Sequence, residues 1–190
     1  MKLIQLYSQV LQEIGEGSSK PFEYTIEKDT PNLSKYIIDG ETSKGEKEPI
    51  RLFLMYTEFS DFGIEHLLAN PERTGYDEEF VGLVSKYKEK FIDGLHMATI
   101  LFERVGDNKG AFGDVNDTQF MFRLMATLKK ILMEIIKQKN INVIDFDPSE
   151  SSSKEDFGVG RYRLYKLFIK KAFPNAIEVA DTERVFFILQ

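Results

Sequence analysis

Asp117-Thr118-Gln119-Phe120-Met121-Phe122-Arg123-Leu124-Met125-Ala126-Thr127-Leu128-Lys129-Lys130-Ile131-Leu132-Met133-Glu134-Ile135-Ile136-Lys137-Gln138-Lys139 runs through Asn140 into Ile141-Asn142-Val143-Ile144-Asp145-Phe146, and this stretch decides the fold. Phe120, Leu124, Leu128, Ile131 and Ile135 recur at three- and four-residue steps, so they line one face of a helix. Met121, Met125, Leu132 and Ile136 widen that face well past a coiled-coil seam, which calls for packing on a sheet. Asn116 or Asp117 is placed to cap the helix start. Ile141 to Phe146 reads as an apolar strand. Strand, helix and strand in this order imply a crossover to a parallel neighbour.

Downstream, Pro148 to Asp156 is a serine-rich loop with alternating acids. A basic helix follows from Arg161 to Lys171. Leu164, Tyr165, Phe168, Ile169 and Ala172 share its inward face, and Arg163, Lys166 and Lys170 the opposite one. After Pro174, the segments Ala176–Ala180 and Arg184–Leu189 form a closing hairpin around Asp181-Thr182-Glu183.

Upstream, Leu3, Tyr7, Val10 and Ile14 mark a short amphipathic helix over residues 1–15. It is too short to stand alone and must dock on the body or on a partner. Gly15, Gly17 and Pro21 end it. Phe22, Tyr24 and Ile26 alternate as in a half-buried strand. Tyr36-Ile37-Ile38 is a second strand, closed by Asp39-Gly40, and Glu41 to Pro49 is an exposed loop. Ile50, Leu52, Leu54 and Tyr56 face one way and Phe53 and Met55 the other, which predicts a third strand covered on both sides. Met97 to Val105 is the fourth. Between them Glu58 to His96 breaks the strand pattern, and Phe80, Val84, Tyr87 and Phe91 predict a helix from Asp77 to Ile92 inside this insertion.

The expected architecture is one α+β domain over residues 1–190: a mixed, mostly antiparallel, twisted sheet with a helical insertion at 58–96. With 42% hydrophobic residues, 16 Phe and 8 Tyr, the chain carries enough apolar surface for a real core. The absence of cysteine excludes a disulfide framework, a thiolate metal site and a cysteine nucleophile. His66 and His96 stand apart, so no histidine-rich metal site is expected and none is assigned. A net charge of −6 argues against a compact basic nucleic-acid domain. No apolar run approaches the ~18 residues of a membrane span, and the start is too polar for a secretory leader. A protein of the reducing interior is expected.

The element order resembles the GNAT superfamily of N-acyltransferases, over residues 20 to 190. In that family an antiparallel meander feeds a helix at the acyl-CoA site, followed by a strand, a helix and a final hairpin. Leu164-Tyr165 with Ala172-Phe173 is similar to the late helix of the family, where Leu-Tyr precedes Gly-Phe. The family holds the CoA pyrophosphate on free amides at its long helix, in the pattern Arg or Gln, two residues, Gly, one residue, Gly or Ala. Here Lys109, Gly110 and Gly113 are the corresponding residues, at a different spacing and among Asp107, Asp114 and Asp117. A diphosphate would meet like charge there. No cofactor is therefore assigned, and a divergent acyltransferase stands as an alternative reading.

A second resemblance is to small phage proteins of unassigned function. It rests on Met1-Lys2-Leu3-Ile4 through Gly17-Ser18-Ser19-Lys20-Pro21-Phe22. It rests also on Arg161-Tyr162-Arg163-Leu164-Tyr165 through Phe173-Pro174-Asn175-Ala176. It implies a phage origin, with the protein in the virion or the host cytoplasm. The leading expectation is a non-catalytic protein acting through protein–protein contact. The basic face Arg161, Arg163, Lys166, Lys170 and Lys171 is the expected binding surface, for an acidic partner or, as a further alternative, nucleic acid. Asp145 and Asp147 with Glu103 and Asp107 are the acids that neighbouring strand ends would bring closest together.

Overall fold

The computed structural model describes residues 20–74, 76–105, 117–146, 166–180 and 185–190. The elements are β1 (Tyr24–Thr30), β2 (Leu33–Ile38), β3 (Ile50–Phe59), α1 (Asp61–Ala69), α2 (Pro71–Thr74) and α3 (Glu78–Lys86). A 3-10 turn (Lys88–Lys90), β4 (Leu95–Arg104), α4 (Thr118–Lys139) and β5 (Val143–Phe146) follow. Helical residues 166–172 form α5, and β6 (Ile177–Ala180) and β7 (Val185–Ile188) close the chain. The fold is α+β. The seven strands among the described residues belong to one open sheet in the order β1-β2-β3-β4-β5-β7-β6. Every neighbouring pair is antiparallel except β4 and β5, which run parallel from Met97↔Val143 to Ile100↔Phe146.

The alternation along β4, β5 and β7 sends side chains to two different cores, whereas β1, β2 and most of β3 feed only the first. One face carries Tyr36, Ile38, Leu52, Leu54, Ala98, Ile100, Ile144 and Phe187, packed against Phe120, Leu124, Leu128 and Ile131 of α4 and Phe168 and Ile169 of α5. The other face carries Leu95, Met97, Val143, Phe186 and Ile188, packed against the insertion. Each fully buried Leu, Ile or Phe contributes about 1.5–3 kcal/mol, so the wide α4 stripe is the main anchor of the first layer. Asp117 caps α4 by accepting from the Phe120 amide at 3.0 Å, and Asn140 ends it in the left-handed region at φ 51°.

The outer edge of the sheet is clamped to α4 by cations over rings. Arg123 lies 4.0 Å from the Phe22 ring, Lys130 5.1 Å from Tyr24 and Lys139 4.5 Å from Tyr56. Beneath Lys139 sits a chain of donors: the Tyr56 hydroxyl donates to Ser34 at 2.8 Å, and Ser34 donates to Asp29 at 2.5 Å. Lys139 reaches the same Asp29 at 3.3 Å. Ser34 is fully buried. Burial pushes the Tyr56 phenol up to about 12, and it pushes Tyr36 up as well.

The Ser34 hydrogen bond holds the Asp29 carboxyl below the usual range, with help from Lys139 and against desolvation. A depressed acid adds stability that is full above its unfolded pKa and lost as pH falls through its folded value. Asp29→Asn is therefore expected to lower stability at neutral pH by about 1 kcal/mol or less, since the carboxylate is half exposed. That difference should vanish below the usual aspartate range. Urea midpoints across pH will read it, and a constant gap would contradict the assignment.

The structure departs from two expectations. The face of β3 that carries Phe53 and Met55 is not closed as a both-sides-covered strand would be: Met55 is 40% exposed, and neither residue joins a core cluster. The insertion packs on the β4, β5 and β7 side of this face and leaves the middle of β3 open. The predicted helix to Ile92 stops at Lys86 with Tyr87 as its C-cap, and the chain then tightens into the 3-10 turn. The amphipathic segment 1–15 and the serine-rich loop lie outside the described residues.

Candidate functional site

The insertion is built from short, individually capped pieces. Ser60 accepts from the Gly63 amide at 3.3 Å to start α1, and Asp77 accepts from the Phe80 amide at 2.7 Å to start α3. Phe80 is the keystone. Its ring lies 5.8 Å from Phe59, 5.0 Å from Tyr76 and 6.1 Å from Phe186 of β7. Gly94 then turns the chain into β4 at φ +91°, and a Cβ there would come within 2.7 Å of the Phe59 carbonyl. Asn142 locks the same corner: it accepts from the His96 amide and donates to the Gly94 carbonyl, both at 2.8 Å.

In α3, Gly82 has open space where a Cβ would stand. Gly82→Ala is expected to stabilise the protein by about 0.5–1 kcal/mol, because alanine restricts the unfolded chain and favours the helix. Thermal unfolding will show it, and a lower midpoint would contradict the open space.

Between α1 and the 3-10 turn lies an open groove of about 390 Å³. Ile64 and Phe91, both almost fully buried, make its floor, and Ile92, 74% exposed, makes a wall. Asp61, Glu65, Lys88 and Glu89 stand around it, with Lys88 3.7 Å from Glu65. Phe62, beside Asp61 on α1, is 79% exposed. Phe62 is not part of the groove lining; the unusual feature of the groove is an apolar side chain as exposed as Ile92 at the edge of a concave apolar floor.

Of the residues singled out in the sequence, Lys109, Gly110, Gly113, Arg161 and Arg163 lie outside the described residues, as do Asp107 and Asp147. Lys166 and Lys170 are both on α5, and both are drawn onto one carboxylate: Glu178 of β6 lies 2.6 Å from Lys166 and 2.8 Å from Lys170. Glu178 is only 11% exposed, so these two cations of the face serve to hold the closing hairpin. Lys171 is exposed beside them. Asp145 is fully buried opposite Thr99, whose hydroxyl donates to it at 2.9 Å. Glu103 lies four residues further along β4 and pairs with Arg51 at 3.1 Å, so these two acids do not converge. No group of three or more metal-ligating residue types gathers among the described residues. No helix among them is long and apolar enough to cross a membrane.

The groove residues were missed in the sequence. The available signal was charge: residues 58–96 hold nine Asp and Glu against four Lys and Arg, a net −5 of the chain's −6. No known protein family, curated protein or solved structure matches the chain.

Proposed function

We propose that this chain is a non-catalytic phage protein that works by protein contact, within a virion or against a host component, and that the helical insertion makes the contact. The observation that carries this reading is the exposed Ile92 on the wall of the apolar-floored groove, with a second exposed apolar side chain, Phe62, on the same insertion. The resemblance of the two chain ends to small phage proteins supports the origin. A photo-crosslinking residue at position 62 or 92, used in extracts of infected host cells, is expected to give discrete protein adducts. The same probe at exposed Lys44 is expected to give none. Equal adducts from all three positions, or none from 62 and 92, would sink the reading.

One observation favours a second reading, the divergent GNAT-type acyltransferase. An antiparallel meander, a helix, a parallel fifth strand, a helix and a hairpin is the order that resemblance implies. A site-specific ligand at a hundred times its dissociation constant adds about 2.7 kcal/mol, so acetyl-CoA would raise the melting temperature of such an enzyme. An unchanged melting temperature at millimolar CoA removes it.

A further inference from the structure

We infer that the insertion groove takes a basic segment of a protein partner, seated by one apolar anchor side chain and held by flanking Lys or Arg. This deepens the contact reading and rests on it. The groove itself supplies the anchor site. Its floor, Ile64 and Phe91, is fixed by the helix packing below, while Ile92 stands free on one side. Such a preformed apolar recess is the environment in which a single buried anchor dominates an interface.

The charge of the partner follows from the rim. Asp61, Glu65 and Glu89 face only Lys88 around the recess. Lys88 is itself only 3.7 Å from Glu65, which leaves an acidic excess. The excess extends over the whole insertion, which holds −5 of the net −6, while the other 151 residues are nearly neutral with 21 cations against 22 acids. A charge asymmetry confined to the element that carries the groove steers a basic partner to that element and repels an acidic one. On α5, Lys166 and Lys170 are already engaged with Glu178.

The test is selection of a random library of short linear peptides on the full-length chain, with parallel selection on Ile92→Ser. Ile92 is exposed, so the variant keeps its fold, which a melting curve will verify. Peptides that share an apolar residue flanked by Lys or Arg are expected to enrich on the wild type. The best of them should bind Ile92→Ser at least about tenfold more weakly by fluorescence anisotropy. Glu65→Lys combined with Glu89→Lys should lose it. Enrichment of acidic or uncharged peptides overturns the inference. So do binders that Ile92→Ser retains, and so does a library that yields none. If crosslinks form from positions 62 and 92 while the basic peptides fail, the contact reading stands and the partner chemistry falls. If both fail, both fall.

Discussion

Phe80→Ala is expected to cost about 3–5 kcal/mol and to release the insertion from the sheet. The ring is 1% exposed and touches aromatic neighbours from three separate segments: Phe59 at the end of β3, Tyr76 before α3 and Phe186 on β7. Removing it empties the centre of the second core, which is the smaller one and has no long helix to close over the gap. The loss should therefore be local first. Hydrogen exchange is expected to lose protection in α1, α3 and the 3-10 turn while β2 and α4 stay protected. Urea denaturation gives the magnitude. A loss below about 1 kcal/mol, or equal loss of protection in both cores, would contradict the keystone role. The variant should also lose the groove, because Ile64 and Phe91 belong to the same cluster.

Gly40→Ala carries the second large effect, of about 3 kcal/mol. A Cβ at this position would lie 2.2 Å from the Glu48 carbonyl oxygen and 2.8 Å from the Phe120 ring. The first is backbone, held in place by the Glu48 amide donating to Gly40 at 2.9 Å. It cannot swing away as a side chain would. The second is the first buried ring of α4, so the same methyl pushes on the start of the helix that closes the larger core. Phe120→Leu should recover only part of the loss, because the carbonyl clash remains. Thermal and urea unfolding of the single and double variants will measure it. A change within about 0.5 kcal/mol would mean that the loop 40–48 shifts easily, against the packing described.

Most strands and the long helix could be read from spacing alone, since a period of two or of 3.6 is a local property of the chain. Helix α1 could not. Its apolar residues Phe62, Ile64, Leu67 and Leu68 do not keep to one helical face, and Gly63 and Asn70-Pro71 look like turn punctuation. Its helicity rests on the Ser60 cap and on the core that buries Ile64 and Leu67. Phe91 kept the helical spacing from Phe80 although the helix ends at Lys86, because the 3-10 turn returns it to the same core. The groove was hidden for a related reason. Its two walls come from residues 61–65 and 88–92, and only their packing makes a recess between them.

The basic helix shows the reverse case. Lys166 and Lys170 share the outward face, as their spacing required, but spacing carries no information about what lies across from them. The hairpin places Glu178 there.

By itself the sequence determined the α+β class, the crossover helix and the insertion, because periodicity and turn chemistry are set by neighbours along the chain. Tertiary structure decided the strand order, the exposed half of β3, the groove and the pairing of α5. Each depends on residues far apart in sequence, whose meeting is set by how two cores share one sheet.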